Sequence, residues 1–183
     1  MQDFCMTSKT KILSADPGKS GYFCKLDPAT MKLEFYPYPM LTVGKNKKDY
    51  DPDAMYQLVM DLVQDVRLIV IENVHAMQGG TGGSSNFSFG FGKGLLVMAA
   101  VASQTPRMYV SPQAWQKLAW LGVTKVQKPS GTHGKMVTDT KATSLIAAKR
   151  LFPGETFLAS ERSKKPHDGM VDAALIAYYG SKN

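Results

Sequence analysis

The chain has 183 residues, 44% of them hydrophobic, and a net charge of +7. This length suffices for one domain with a substantial core, and we predict a single domain over residues 1–183. The cysteines, Cys5 and Cys24, lack CxxC spacing, which excludes a disulfide framework or cysteine-based zinc site and favours a reducing compartment. Without a signal peptide or an apolar run long enough to cross a bilayer, we expect a soluble cytoplasmic protein (in the host cytoplasm if viral) that has no membrane partner.

The positive charge is concentrated in the last part of the chain. Residues 1–104 hold ten basic and ten acidic side chains, whereas residues 105–183 hold twelve basic and five acidic ones, so the whole excess lies there. Such a surplus attracts nucleic acid phosphates, although many basic faces are only solvated surface.

The order of predicted elements favours a mixed sheet covered by helices. Strands at 9–15, 22–26 and 31–38 precede a helix at 52–64, a buried strand at 67–72 and a Gly-rich mobile loop at 78–85. A helix from about 89 or 92 to 103, a strand at 108–110, a helix at 112–121, a basic loop at 122–137, and helices at 139–152 and from about 166 onward follow. Three antiparallel strands and then alternating helices and parallel strands are typical of an α/β, RNase H-like fold with a five-stranded sheet.

Four acidic residues stand where this fold would bring them together. Asp16 and Glu72 end predicted strands, and Asp168 and Asp172 are one helical turn apart on the final helix. Asp172 is the single charged residue between 169 and 179, an apolar stretch expected to pack on the core. Neighbouring parallel strands would place Asp16 and Glu72 at one sheet edge, with the helix across it.

A cluster of four carboxylates is suited to divalent cations. Their formal charge of −4 matches two ions, and carboxylate oxygens select hard ions such as Mg²⁺, for which Mn²⁺ may substitute. Two such ions can clamp a phosphodiester for in-line hydrolysis. Taken singly, Asp16 is also a common Asp-Pro-Gly turn residue and Glu72 an ordinary strand-end residue.

Three motifs resemble the RuvC family of Holliday junction resolvases, in particular its bacteriophage-type branch. They are ILSADPGKSG at 12–21, VIENVHAM at 70–77 and HDGMVDAALIA at 167–177, in family order over nearly the whole chain. The resemblance implies a homodimer that binds four-way or other branched DNA and cuts two opposed strands with magnesium.

The resemblance also implies roles for individual residues. Asp16, Glu72 and Asp172 match metal ligands, while Asp168 is spaced differently from many cellular members and has His167 as a neighbouring rival ligand. Lys141 matches a basic position that reaches the phosphate being cut, with a solvated helix lysine as the alternative. The basic pair Lys149 and Arg150 is interpreted as a DNA backbone contact.

Further DNA contacts are predicted around the Gly-rich loop and in the basic region. His75 and the loop after Glu72 would hold the junction open. Phe87, Phe89 and Phe91 would stack on unpaired bases or wedge a base step apart, although aromatic residues at a helix start more often anchor it to the core. Lys93 and Lys135 are predicted backbone contacts. The segment from Gly90 to Gly94 matches no phosphate-binding fingerprint, so we expect no nucleotide cofactor.

The sequence thus predicts a magnesium-dependent crossover junction endodeoxyribonuclease. An RNase H-like nuclease acting on RNA–DNA hybrids would use the same acids, and a non-catalytic junction-binding protein would not need them. A kinase-like ATPase half is a further alternative, because DPGKSG resembles a phosphate-binding hairpin, but that architecture needs a second such domain.

Overall fold

The computed structural model describes residues 9–45, 47–74, 83–130 and 134–183. Nine strands occur in this part of the chain: β1 (Lys11–Ala15), β2 (Tyr22–Asp27), β3 (Lys32–Pro37), β4 (Met40–Val43), β5 (Lys47–Tyr50), β6 (Val66–Glu72), β7 (Arg107–Val110), β8 (Gln127–Ser130) and β9 (Lys135–Thr138). Five of them form one sheet in the order β3-β2-β1-β6-β7. The β1–β2 and β2–β3 pairs are antiparallel, whereas β1, β6 and β7 are parallel. The predicted mixed five-stranded sheet is confirmed.

Five α-helices flank the sheet: α1 (Pro52–Leu62), α2 (Gly83–Ala102), α3 (Pro112–Ala119), α4 (Thr140–Leu151) and α5 (Asp168–Ser181). The starts of α1, α3 and α4 follow from local sequence. Asp51, Ser111 and Asp139 each accept a hydrogen bond from the backbone N–H three residues later, which satisfies a donor that the helix itself leaves unpaired. None of the described helices combines the length and the apolar character needed to cross a membrane.

The helices form layers on both faces of the sheet. Ile12 and Val70 pack in a cluster with α3, α4 and α5, whereas Leu13 and Ile69 pack in a second cluster with α1 and α2. This division follows from the alternation of side chains along a strand. Even-numbered positions of β1 and β6 therefore face α5.

Helix α5 lies directly against the central strands. The buried hydroxyl of Ser14 on β1 donates a 2.6 Å hydrogen bond to the carbonyl oxygen of Ala173. At Gly180, a Cβ atom would overlap the side chain of Val70. The absence of a side chain there lets the end of the helix approach the sheet, so α5 is fixed along its length.

Three sequence predictions about connecting segments are corrected. The connection between the predicted strand at 31–38 and the predicted helix at 52–64 contains the β4–β5 hairpin, and the expected loop at 122–137 contains the β8–β9 hairpin. Each of their strands has only four residues, which is too short to show a clear alternation of apolar and polar positions. Helix α2 begins at Gly83, several residues before the expected start, and includes the end of the Gly-rich segment. Residues 78–82 of that segment lie outside the described residues, as do residues 75–77 before it.

Candidate active site

Asp16 and Glu72 lie side by side at one end of the sheet. The parallel register of β1 and β6 pairs Ala15 with Ile71, so the next residue of each chain segment is an acid. Asp16 and Glu72 are an even number of residues away from Ile12 and Val70 on their strands, so they lie on the same face of the sheet, which α5 covers. Adjacent parallel strands thus deliver two carboxylates to the same point, as predicted.

The first turn of α5 brings in the other two carboxylates. A Cβ atom on Gly169 would overlap the carbonyl oxygen of Ser20 and lie 3.4 Å from Oδ2 of Asp16. The helix therefore starts against the turn that follows β1, and only glycine permits this approach. Asp168 and Asp172 flank that contact on successive turns of the helix.

The electrostatics show that the acids interact. Burial, followed by repulsion from Asp172 and Glu72, raises the pKa of Asp16 well above its ordinary value. Burial, followed by repulsion from Glu72 and Asp168, raises the pKa of Asp172 to about 7. The charge of Lys141 and a hydrogen bond with Ser144 lower the pKa of Asp172, but burial and the neighbouring acids outweigh them. The protein surroundings therefore neutralise only part of the negative charge of the cluster.

Two neighbouring groups, Trp115 and Lys93, act against the effect of burial on the pKa of Glu72. Burial raises the pKa of Glu72, while the hydrogen bond from Trp115 and the charge of Lys93 lower it. The Trp115 indole N–H donates to Glu72 Oε1 at 2.7 Å, and both side chains are buried. Sequence analysis did not assign Trp115 to the site, since nothing in its amphipathic helix indicates which group its N–H reaches.

Lys141 reaches the cluster from α4. Its Nζ lies 2.5 Å from Oδ2 of Asp168, and both side chains are more than half exposed. The hydrogen bond and charge of Asp168 raise the pKa of Lys141, with a smaller contribution from Asp172. Lys141 therefore lies at the edge of the carboxylates, and its role beside a reacting phosphate stays a prediction.

Ser144, one turn further along α4, was missed by sequence analysis. A hydrogen bond between Ser144 and Asp172 lowers the pKa of that acid, against the larger effect of burial. The Ser144 hydroxyl also accepts a 3.3 Å hydrogen bond from the Trp120 indole N–H. A buried serine within a helix has no sequence signal that separates this role from ordinary packing.

His167 is placed differently from the expected rival ligand. Its ring packs edge-on against Tyr22, with centroids 4.9 Å apart, and its Nδ1 is buried without a hydrogen-bond partner. The ring lines a cavity shared with Lys19 and Lys48. The described residues give no arrangement in which His167 and the acids already surround one ion position.

The donor set nevertheless fits divalent cations chemically. Four carboxylates on one surface, two with strongly raised pKa values, form a cluster that positive charge would stabilise. No three such side chains in the described part of the chain are preassembled around a single ion position. Asp168 is instead paired with Lys141.

The predicted DNA contacts at α2 fall into two groups. Phe87 is 77% exposed, so the alternative that it anchors the helix to the core is wrong, while Phe89 is half-buried. Lys93 instead turns inward and donates 2.9 Å hydrogen bonds to Asn73 Oδ1 and to the carbonyl oxygen of Val74. It fixes the chain just after Glu72.

The remaining predicted contacts are spread over the basic region. Lys135 is exposed on β9, and Lys149 is exposed in the last turn of α4. Arg150 donates a 3.2 Å hydrogen bond to the carbonyl oxygen of Ala119 at the end of α3. The last turn of α4 is roughly 12 Å along the helix from Lys141, so this pair does not share the carboxylate site. His75 lies outside the described residues.

Fold and site together define an RNase H-like α/β protein with a carboxylate cluster at the end of its central strands. The yeast mitochondrial Holliday junction resolvase Ydc2 matches with a TM-score of 0.58 and 16% identity, covering 98% of this chain and 81% of that one. A structure of Thermus thermophilus RuvC in complex with a Holliday junction substrate matches with a TM-score of 0.51 and 13% identity, covering 93% of this chain and 92% of that one. No family model and no curated protein matches the sequence. At these identities the likeness shows the fold, and the RNase H-like prediction is confirmed.

Proposed function

We propose that this chain is a structure-selective DNA endonuclease of the RuvC-like resolvase class, which hydrolyses phosphodiester bonds in Holliday junctions and related branched DNA. The observation that carries the proposal is the convergence of Asp16, Glu72, Asp168 and Asp172 beside β1 and β6 of an RNase H-like fold. Both matched structures are of Holliday junction resolvases, one of them bound to its junction substrate. Membership of the bacteriophage-type branch and a cytoplasmic location are further parts of the proposal, which rest on the sequence motifs and composition.

The four carboxylates would hold two Mg²⁺ ions, with Mn²⁺ as a substitute. Such ions activate water as the nucleophile and stabilise the leaving oxygen of an in-line displacement. The chain itself supplies orientation and charge. Trp115 fixes one oxygen of Glu72, and Lys141 stands at the rim where a scissile phosphate would meet the acids.

A homodimer is proposed on the basis of the family resemblance and of the exposed apolar residues of α1 and α2. Tyr56, Met98 and Val101 are 44%, 62% and 38% exposed. Two copies of the site would serve the two opposed strands of a four-way junction. Sedimentation equilibrium of wild type and Met98→Glu tests this: a dimer that the substitution dissociates supports the interface, and a monomeric wild type contradicts it.

The decisive experiment is cleavage of a labelled four-way junction in Mg²⁺ or Mn²⁺. Linear duplex, a fork and an RNA–DNA hybrid are tested in parallel, with Asp16→Asn as the inactive control. Paired symmetric nicks on the junction that disappear in the variant are expected. Preserved junction binding by the variant is also expected, because the substitution removes a metal ligand and reduces repulsion of DNA.

Two other functions would give different outcomes. Cleavage of the hybrid alone would assign the same acids to an RNase H-like nuclease for RNA–DNA hybrids. Tight junction binding without cutting in either metal would indicate a non-catalytic binding protein. The acid cluster argues against the latter, because uncompensated carboxylates facing DNA weaken binding.

A further inference from the structure

A cavity of about 370 Å³ lies beside the carboxylate site, on the other side of the turn that follows β1. Its wall includes Lys19, Ser20, Tyr22, Lys48 and His167, together with other residues of β2 to β4. No carboxylate lines it among the described residues. A concave site with two lysines, one imidazole and no acid is suited to an anion.

The cavity shares structural parts with the carboxylate site. Ser20, in its wall, makes the close contact with Gly169 that sets the start of α5. Tyr38, also in the wall, donates a 2.8 Å hydrogen bond to the backbone carbonyl oxygen of Asp16. His167 directly precedes Asp168. The cavity and the carboxylate site are therefore joined through the turn after β1 and the start of α5.

The β4–β5 hairpin carries Lys48, one of the two lysines of the cavity, and holds the other, Lys19, in place. Lys19 Nζ donates a 3.1 Å hydrogen bond to the backbone carbonyl oxygen of Lys48 and lies 3.7 Å from Asp49. Lys48 and Asp49 point to opposite faces of β5, because side chains alternate along a strand. Lys48 forms no ion pair in the described part of the chain, so its charge is available to a ligand.

His167 offers a hydrogen-bond donor without any change of charge. Because its Nδ1 is buried and has no acceptor, a proton on that nitrogen would be unsatisfied. The neutral tautomer with the proton on Nε2 avoids that cost. The ring can then donate to an acceptor on its other edge.

We propose that this cavity, the phosphate cavity, binds a DNA backbone phosphate adjacent to the one that is cut. The identity of the ligand as DNA rests on the proposed function. The physical need is clear: four carboxylates repel the backbone on both sides of the scissile bond, and a neighbouring cationic site offsets that repulsion. The hairpin that carries Lys48 was not predicted from sequence, and neither was this site.

The test is junction binding by Lys48→Ala, measured by fluorescence anisotropy in the absence of magnesium at several salt concentrations. Loss of one phosphate contact should weaken binding about tenfold at low salt and reduce the slope of log affinity against log salt by roughly one. Lys32→Ala is the matched control, since Lys32 is an exposed lysine at the opposite end of the sheet. Equal affinities and slopes for the two variants would overturn the proposal.

A second measurement locates the contact. Junctions with one neutral methylphosphonate at successive positions around the cleavage site are compared with wild type and Lys48→Ala. One flanking position should weaken wild-type binding and leave the binding of the variant unaffected. If every position affects both proteins equally, Lys48 meets no specific phosphate and the proposal fails.

Two sources of phosphate are distinguished by adding inorganic phosphate. If inorganic phosphate competes with the junction for the wild type but not for Lys48→Ala, and the methylphosphonate effect is also seen, the result supports a site for a backbone phosphate. Thermal stabilisation by inorganic phosphate with no effect of Lys48→Ala on junction affinity assigns the cavity to free phosphate and overturns the proposal. These binding measurements contain no magnesium and do not depend on cleavage. If the wild type cuts no DNA in the separate cleavage assay with Mg²⁺ or Mn²⁺, the nuclease function is refuted, and the outcome of the binding test still stands.

Discussion

The indole N–H of Trp115 on α3 donates a 2.7 Å hydrogen bond to Oε1 of Glu72 at the end of β6. The two residues are separated by 43 positions in sequence, and both are buried. A hydrogen bond to a charged acceptor in such surroundings is stronger than a neutral one and fixes the direction of the carboxylate. Helix α3 thus takes part in positioning the site without contributing an acid.

Trp115→Phe should lower the cleavage rate by about tenfold, because loss of a hydrogen bond to a charged group is worth about 1.5–3 kcal/mol and Glu72 would lose its fixed orientation. The measurement is single-turnover cleavage as a function of Mg²⁺ concentration, with a higher Mg²⁺ requirement expected. Phe152→Leu, a core change at the far end of α4, controls for lost stability. An equal loss of activity in both variants would show that Trp115 acts only through packing.

The metal-free protein should lose stability as pH rises from about 4 to 8. Burial and the neighbouring Glu72 and Asp168 raise the folded-state pKa of Asp172 to about 7, above its unfolded value near 3.8. Between these two pKa values the folded chain therefore binds more protons than the unfolded chain. The contribution of Asp172 to the free energy of unfolding is complete below its unfolded pKa and is lost as pH rises through its folded pKa.

Asp172→Asn tests this assignment, since a neutral amide cannot develop the unfavourable charge. The difference in unfolding free energy between variant and wild type should grow with pH up to about 8 and reach a few kcal/mol in favour of the variant. Urea unfolding in EDTA at several pH values measures it. The same variant should cut no junction. A difference that does not change with pH would contradict the raised pKa.

Gly169→Ala should disturb the site, because the new methyl group would overlap the carbonyl oxygen of Ser20. We expect a loss of roughly 1–3 kcal/mol in stability from this overpacking and a large fall in cleavage rate as α5 shifts. Gly94→Ala on α2 is the matched control: open space surrounds that position, so it should gain up to about 1 kcal/mol from helix propensity. Thermal unfolding and cleavage of the same samples provide the measurement, and a fully active Gly169→Ala would refute the close contact.

Lys141→Ala should lower the cleavage rate more than the affinity for DNA, because its ammonium group stands beside the carboxylates and the reacting phosphate. A decrease of about 10- to 100-fold in single-turnover rate is expected, as for loss of one electrostatic stabiliser. Lys149→Ala, eight residues further along α4, should instead weaken binding. If Lys141→Ala reduces rate and affinity in proportion, the residue is only a backbone contact.

The sequence was most informative where local rules operate. Strand ends at Asp16 and Glu72, and one helical turn between Asp168 and Asp172, were enough to predict a shared site. The N-caps at Asp51, Ser111 and Asp139 likewise mark helix starts through contacts within three residues. The hairpins β4–β5 and β8–β9 were missed because their four-residue strands are too short to carry a clear period.

The sequence alone therefore determined the order of the five strands of the main sheet, the acids at the end of that sheet and the class of chemistry that they favour. Only the tertiary structure decided which neighbours adjust those acids: Trp115 on Glu72, Lys141 on Asp168 and the Ser20 turn against Gly169. It also showed that Lys93 donates a hydrogen bond to Asn73, just after β6, and that His167 lines a cavity beside Lys19 and Lys48. The physical reason is range: periodicity and capping act within a few residues, whereas these contacts depend on how helices pack on the sheet.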